Sequence, residues 1–280
     1  MATRKRSKAD ILPPMHVQLL RLALGLYSVG LVHSVLTVLR KKQTLFKPAV
    51  IATLVGFAVH AVSIVLRAYD LETWALTQRS EALSLFAALA VLAFLIVYWK
   101  YKIASLGIFA FPTIFVMTFI ANLAYNSPDS IPATLRSNWN YIHIPVVILG
   151  YVAFFVAFAA AVLYLIQERE LKAKRVFHNQ LPSLEVCDDL AYRSLAIGFP
   201  LMTLGIISGA LWAQQLWGVS WMRDPKILLA FLTWLIYLIL IHYRLIAGWR
   251  GKKAAYLAIV GFVGVLVTFS FTGLHASFHP

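Results

Sequence analysis

The chain has 280 residues, of which 61% are hydrophobic and only 13% are charged, and its mean hydropathy is +0.78. This composition excludes an ordinary soluble domain and predicts an integral membrane protein. Basic loops at the cytoplasmic face of a membrane explain the formal net charge of +14, so no nucleic-acid partner is expected. The single cysteine, Cys187, excludes an internal disulfide and a CxxC redox pair.

The chain begins with a polar, basic segment, residues 1–14, which we expect to be a tail. The next stretch is long and lacks a small-residue cleavage site, so no cleavable signal peptide is expected. Eight apolar stretches follow, each close to the ~20 residues that cross a bilayer as a helix. They are approximately Val17–Leu39, Pro48–Leu66, Ala82–Trp99, Ile103–Leu123, Tyr141–Ile166, Ala196–Leu216, Pro225–Leu245 and Ala254–Phe271. We therefore predict an all-α membrane bundle of about eight transmembrane helices, with residues 15–280 as a single polytopic domain.

The loops between these stretches differ in basic content. Four of them carry most of the charge: Arg40, Lys41, Lys42 and Lys47; Lys100 and Lys102; Arg169, Lys172, Lys174 and Arg175; Arg244, Arg250, Lys252 and Lys253. The positive-inside rule places these four in the cytoplasm and both termini outside a bacterial cytoplasmic membrane, although the basic N-terminal tail opposes this. Segments 67–81 and 125–140 are predicted as long outer loops, and 167–192 as a charged, solvated connector.

A tryptophan-rich loop, about residues 212–226, separates the sixth and seventh spans and is predicted to be external. It contains Trp212, Trp217, Trp221 and Arg223. Indoles prefer a surface that is apolar on one side and wet on the other, so the cluster is either a membrane-interface belt or a platform for a flat, amphipathic ligand. Asp224 precedes a proline, a pair typical of the N-cap and first position of a helix, and predicts the start of span seven.

Two of the eight histidines lie on the side of the membrane that is predicted for this loop. His143 is at the start of span five, and His275 follows span eight. Either could be an ordinary solvated or hydrogen-bonded histidine, but as a pair beside indoles they suit the axial positions of a haem iron. His242 is predicted to be buried in span seven, roughly 24 Å below the outer surface at 1.5 Å per residue. A haem ligand, a proton relay and a structural role all fit it. A structural role is favoured for His33. His16, His178 and His279 lie in segments that are predicted to be exposed, and none of them is expected at a site.

The residues around the loop resemble a known family. The run Trp217-Gly218-Val219-Ser220-Trp221-Met222-Arg223-Asp224-Pro225-Lys226-Ile227 is similar to the WWD motif of haem-handling proteins, W-G-x-x-W-x-W-D-P-K-E. Further similar stretches are Thr203–Ala213, His242-Tyr243-Arg244, Gly248–Lys252, Gly273-Leu274-His275, Trp139–His143 with Tyr151 and Phe155, and His60 with Leu66-Arg67 and Glu81. The chain resembles the CcsA (ResC) type of cytochrome c assembly protein, more than the shorter CcmC type, over most of its length after about residue 48.

The resemblance implies that His143 and His275 are the axial ligands of a haem b carried as substrate at the outer face. The WWD loop would cradle this haem through Trp212, Trp217, Trp221, Arg223 and Asp224. His242 would bind haem on its way out, and a membrane partner of the CcsB (ResB) type would supply the matching ligand. Arg223 and Ile227 depart from the motif, which has tryptophan and glutamate there. Arg223 could instead pair with a haem propionate.

The first hypothesis is a lipid-embedded subunit that transports haem and presents it to apocytochrome c. It needs no catalytic residue, because thiols of the substrate's CxxCH attack the haem vinyl groups. Whether it counts as an enzyme, as part of a cytochrome c haem lyase or synthase, stays open. The alternative is a structural or electron-transfer membrane subunit that kept the fold but lost ligase activity, which Arg223 and Ile227 motivate. A transporter unrelated to haem is disfavoured, because no inverted repeat is evident and the outer histidines would lack a role.

Overall fold

The structure, a computed structural model, describes residues 13–40, 43–74, 76, 78–125, 138–174, 181–218 and 224–270; of residues 38, 43 and 217 it describes the backbone alone. Eight long α-helices make up most of these residues, which contain no strand: α1 (Met15–Arg40), α2 (Phe46–Asp70), α3 (Arg79–Tyr101), α4 (Gly107–Leu123), α5 (Asn138–Lys172), α6 (Leu184–Trp217), α7 (Pro225–Ile246) and α8 (Lys252–Ser270). All eight are long and apolar enough to cross a membrane. The prediction of an all-α, multi-pass membrane bundle is confirmed.

Successive helices run antiparallel, which gives the bundle two ends. Gly30 of α1 lies against Thr53 of α2, and Gly56 of α2 lies against Tyr27 of α1. The end where α1, α3, α5 and α7 begin is called the His143 end. The opposite end is called the basic end, because the helix termini there carry Arg40, Lys100, Lys102, Lys172, Arg244, Lys252 and Lys253.

Helix α5 lies in the middle of the bundle and packs against α3, α6 and α8. Small residues allow α5 and α6 to approach closely, as is common between membrane helices. A Cβ added at Gly205 of α6 would lie 2.6 Å from Val147 of α5. Further along, Phe154 of α5 stacks on Tyr237 of α7, with ring centroids 3.8 Å apart and planes at 6°. These contacts set the position of α5 relative to α6 and α7.

Helix α7 is the least enclosed helix near the tryptophan-rich loop. Thr233, Tyr237 and Leu240 are its buried residues, and they share one face. The opposite face exposes large apolar side chains along its length, namely Leu228, Phe231, Leu232, Leu235, Ile239 and Ile246. Such a face suits lipid or another membrane helix.

The predicted connector over residues 167–192 is wrong. Helix α5 extends to Lys172 and α6 already begins at Leu184. Charged residues in these two ends form helical i,i+4 pairs, such as Lys172 with Glu168 at 2.7 Å. Hydropathy alone missed these turns because a helix that continues beyond the apolar core becomes polar without ending. The predicted loop 67–81 is shorter for the same reason, since α2 ends at Asp70 and α3 begins at Arg79.

Candidate functional site

His143 lies in the second turn of α5, and within the described residues only one of its ring nitrogens, Nδ1, is hydrogen-bonded. Nδ1 is 2.9 Å from the backbone oxygen of Gly205 and 3.2 Å from Oγ of Ser208. The Ser208 hydroxyl donates to the backbone oxygen of Leu204 at 2.8 Å, so its oxygen is free to accept. Both neighbours of Nδ1 are therefore acceptors, which makes Nδ1 the protonated nitrogen and leaves the Nε2 lone pair for a metal. Metal-binding histidines are commonly oriented by such a bond to a backbone carbonyl.

Gly209 provides the space for this imidazole. A Cβ at position 209 would lie 2.6 Å from Cε1 of His143, which is closer than real Cβ atoms approach. Gly205, Ser208 and Gly209 follow an i, i+3, i+4 spacing and therefore share one face of α6. All three lie in the stretch Thr203–Ala213 that resembles the family, but the resemblance assigns none of them a role. Their spacing on an apolar helix was the signal for a close helix contact.

Trp212 is the one tryptophan of the loop whose side chain the structure describes. Its ring lies edge-on to the ring of His143, with centroids 5.9 Å apart and planes at 62°. The indole is half-buried, and its Nε1 is buried without a hydrogen-bond acceptor in the described part of the chain. The structure thus brings together Trp212 and His143, two residues that are each predicted to bind haem.

Asp224 closes the loop and starts α7, as predicted. Its carboxylate accepts a hydrogen bond of 2.8 Å from the backbone nitrogen of Lys226, and a proline occupies the first turn. At the other side of the loop Gly218, with φ of +57°, ends α6 in a conformation that favours glycine. The predicted ligands Trp221, Arg223 and His275 lie outside the described residues, and so does the side chain of Trp217.

Polar contacts brace the start of α5 against the rest of the His143 end. Asn140 exchanges two 3.1 Å hydrogen bonds with the backbone of Leu76, in the connection between α2 and α3. The hydroxyls of Tyr141 and Thr73 are also 3.1 Å apart. Trp139 donates to Oε1 of Gln215 near the end of α6 at 2.9 Å. His143 is therefore fixed from two sides.

A buried ion pair supports the α2–α3 connection itself. Arg67 donates from Nε to Oε1 of Glu81 at 2.7 Å and from Nη1 to the backbone oxygen of Thr73 at 3.0 Å. The other carboxylate oxygen of Glu81 accepts from the backbone nitrogen of Gln78. Both charged side chains are at most 9% exposed. Their mutual hydrogen bonds offset the cost of removing two charges from water.

His242 is not buried, which corrects the prediction. It lies on the exposed face of α7, two residues and therefore about 200° around the helix from buried Leu240. Its ring meets only Tyr243 edge-on and forms no hydrogen bond within the described residues. The depth estimate placed it correctly near the basic end, but depth does not show which face of a helix is covered.

His16 also differs from the prediction of an exposed residue. It is 5% exposed, and its ring is hydrogen-bonded at both nitrogens, from Nδ1 to Asp70 at 2.6 Å and from Nε2 to Tyr125 at 3.1 Å. Burial raises the pKa of the Tyr125 hydroxyl, with further contributions from Glu81 and Asp70. These bonds join the start of α1 to the ends of α2 and α4. His16 therefore has a structural role and no free nitrogen for a metal.

The remaining described histidines lie away from His143. His60 is enclosed, with Nδ1 3.2 Å from the hydroxyl of Tyr27 and Nε2 2.8 Å from that of Ser84. His33 is half-buried, and its Nδ1 has no hydrogen-bond partner in the described chain. Among the described residues no group of three His, Cys, Asp or Glu side chains could hold a metal ion. A metal at His143 therefore requires a ligand from outside them, or a planar group that supplies most of the ligands.

Comparison with known proteins gives a consistent match. Residues 74–279 match the family described as "Cytochrome C assembly protein". "Cytochrome c biogenesis protein CcsA" of Chlamydomonas reinhardtii is 40% identical over 146 residues, 52% of this chain and 40% of the relative. Proteins of that name from Guillardia theta and Heterosigma akashiwo are 33% and 30% identical over 213 and 241 residues, which are 66% and 72% of this chain and 71% and 74% of the relatives. The matched part thus spans between two fifths and three quarters of these relatives' length.

Proposed function

The chain belongs to the cytochrome c assembly protein family, and on that premise we propose that it takes part in cytochrome c biogenesis by binding haem at its His143 end. The observation that carries the proposal is the tautomer and orientation of the His143 imidazole. Its Nδ1–H is held by the carbonyl of Gly205 at 2.9 Å, so Nε2 is directed to a ligand in the tautomer that binds iron. The names of the relatives, which refer to cytochrome c biogenesis, support the same role.

In this proposal haem b is a substrate, held between His143 and His275 and covered by the tryptophan-rich loop. Trp212 lies beside His143 at the distance of an aromatic contact, and Asp224 fixes the point where the loop enters α7. Two fixed ligands would let the exposed vinyl edge meet the thiols of a CxxCH segment. Each thiol adds across one vinyl double bond, its hydrogen passing to carbon, and the protein contributes orientation and iron ligation.

We place the His143 end at the outer side of the membrane and the basic end in the cytoplasm. The helix termini of the basic end carry more Lys and Arg than those of the His143 end, where Arg67, Arg79 and Lys226 lie. This asymmetry supports the orientation by the positive-inside rule. In a bacterium the His143 end would then face the periplasm.

A membrane partner of the CcsB (ResB) type would cover α7. An exposed imidazole on an apolar face is unfavourable in lipid, which indicates that His242 meets a polar or metal-containing partner there. Haem held by His242 and a partner histidine would meet this requirement. The proposal therefore includes movement of haem from His242 to His143.

The test is maturation of a c-type cytochrome in a strain that lacks the chain. We expect a His143→Ala, His275→Ala variant to restore no covalent haem, although it reaches the membrane in normal amounts. His16→Ala is the matched control at the same end, because both of its ring nitrogens are already bonded within the protein, and it should mature the cytochrome. Normal maturation by the double variant would overturn the proposal. Failure of the wild-type chain together with its partner would favour the alternative, a structural or electron-transfer subunit without ligase activity.

A further inference from the structure

The turn between α7 and α8, at the basic end, contains four basic residues within ten positions: Arg244, Arg250, Lys252 and Lys253. No Asp or Glu occurs in the sequence from residue 225 to residue 280. Arg244 is paired, because it donates to both carboxylate oxygens of Asp188 at 3.0 and 2.7 Å. The other three are exposed and form no ion pair within the described residues. An anion that neutralises them would therefore come from another molecule.

Hydrogen bonds fix the backbone that carries these cations. The backbone nitrogen of Trp249 donates to the backbone oxygen of Tyr243 at 3.2 Å. The backbone nitrogen of Gly251 donates to the carboxylate of Asp188, on α6, at 2.9 Å. Positive charge at this end also follows from the positive-inside rule, so charge alone does not make a site. The fixed backbone distinguishes this turn, because the positions from which its cations extend are defined relative to one another.

Aromatic rings lie beside two of these cations. The ring of Trp249 stacks on that of Tyr243, with centroids 4.4 Å apart and planes at 21°. The Lys253 ammonium is 5.4 Å from the centre of the Trp249 ring, and the Lys252 ammonium is 5.8 Å from that of Tyr256. Indole and phenol rings are enriched at the level of the lipid headgroups. We therefore expect both ammonium groups at the depth of the lipid phosphates.

An apolar stripe continues from Lys252 along α8. It consists of side chains that are between 40% and 52% exposed: Tyr256, Val260, Val263 and Val267. Together with Lys252 they lie within roughly 80° of arc on one helix face, at about 100° per residue. A molecule with a charged head and an apolar tail could therefore contact the cations and this stripe at the same time.

We propose that the α7–α8 turn and the α8 stripe bind one anionic phospholipid. Its phosphate lies at Lys252 and Lys253, with Arg250 beside them, and one acyl chain follows α8. Lysine binds phosphate as a point charge, and basic clusters next to membrane helices are typical of acidic-lipid sites. A zwitterionic headgroup suits the site less, because its ammonium is repelled by the three cations. The inference does not require haem, so it stands or fails independently of the proposed function.

The first test compares headgroups on the purified full-length chain in a neutral detergent. Phosphatidylglycerol and phosphatidylcholine with the same acyl chains would be titrated, and bound lipid counted by native mass spectrometry. We expect one phosphatidylglycerol to bind at least about tenfold more tightly than phosphatidylcholine. Glycerol 1-phosphate, which has the phosphate without the chains, should bind more weakly still. Equal binding of the two lipids would overturn the inference, and so would glycerol 1-phosphate binding as tightly as phosphatidylglycerol.

The second test removes two charges. Lys252→Gln, Lys253→Gln should weaken phosphatidylglycerol binding about 30-fold, the effect of losing two lysines that contact an acidic headgroup. Replacing both by Arg keeps the charge and should keep the preference. Lys100→Gln, Lys102→Gln is the matched control, because it removes the same charge at the same end from lysines that also lie over tyrosine rings. It should bind as the wild type does. An equal loss in both double Gln variants would show a general attraction to the basic end and would overturn the site.

Discussion

His143 and His242 lie near opposite ends of the bundle and differ in how much of the imidazole the chain itself uses. His143 is oriented by Gly205 and Ser208, faces a glycine that leaves it room, and contacts Trp212. His242 is exposed on α7 and meets only its neighbour Tyr243. The imidazole of His143 is oriented without another chain, which suits the ligand role proposed for it. The site proposed at His242 would be defined only once another molecule covers α7.

The ion pairs at the two ends sharpen this comparison. At the His143 end Arg67 and Glu81 hold the connection that braces α5. At the basic end Arg244 donates to both carboxylate oxygens of Asp188, and the same carboxylate accepts from the backbone of Gly251. These bonds fix the α7–α8 turn against α6. Ion pairs thus stabilise both ends of the bundle. Of His143 and His242, only His143 is also oriented by polar contacts within the described residues.

The largest effect is expected from Glu81→Gln. It removes the negative charge that faces the buried Arg67 guanidinium, and breaking a buried ion pair in this way typically lowers the free energy of unfolding by about 3–5 kcal/mol. Denaturant unfolding of the purified chain would measure it. Glu168→Gln, in the solvent-exposed pair with Lys172, is the control and should leave stability unchanged. Equal stability of the two variants would show that the brace contributes nothing.

Gly209→Ala should break the site without unfolding the bundle. The added Cβ would meet the His143 ring at 2.6 Å, so the imidazole must move away from its acceptors. We expect haem affinity to fall about 10–100-fold, as when the support of a metal ligand is removed. Gly25→Ala is the control, since nothing lies within 4 Å of a Cβ at that position. An affinity equal to that of Gly25→Ala would contradict the close fit between α5 and α6.

Ser208→Ala tests the weaker of the two bonds to Nδ1. The carbonyl of Gly205 remains, so only one hydrogen bond of roughly 1 kcal/mol is lost, which corresponds to about a fivefold loss of haem affinity. Ser28→Ala is matched to it, because the Ser28 hydroxyl bonds to the preceding turn in the same way, but on α1, which packs against α2 and α4. No difference between the two variants would show that Ser208 does not orient the histidine.

The smallest effect in the isolated chain is expected from His242→Ala. The exposed ring has no hydrogen bond to lose, so the free energy of unfolding should not change measurably. With the membrane partner present, the same variant should lose haem at the basic end. A strong destabilisation of the isolated chain would mean that α7 is packed differently from the structure described.

The sequence was sufficient for the eight helices, because a bilayer requires long apolar runs and Asp224 with its proline marks a helix start. It could not predict the end of α5 or the start of α6, where charged residues such as Lys172 and Asp189 belong to the helices in polar surroundings. The predicted burial of His16 and His242 was wrong for a common reason. Burial depends on which neighbour covers a residue, and neither depth nor local charge contains that information.

The site was predictable in part. Asp224 could be identified from the sequence as the start of α7, and the structure confirms it. His143 and Trp212 were selected by the resemblance, and the structure places their ring centroids 5.9 Å apart, while their binding of haem stays a prediction. Gly209 was missed as a site residue because its role depends on a contact with another helix. The convergence of His143 with His275 stays a prediction, since His275 lies outside the described residues.

The most direct test of the central claim is the reduction potential of haem bound to the purified chain with His143 replaced by Met. If Nε2 of His143 ligates the iron, exchanging one imidazole for a thioether should raise the potential and change the absorption spectrum from that of a bis-histidine haem. His16→Met, at the same end of the bundle, should change neither. A His143→Met protein whose bound haem keeps the wild-type spectrum and potential would contradict the account.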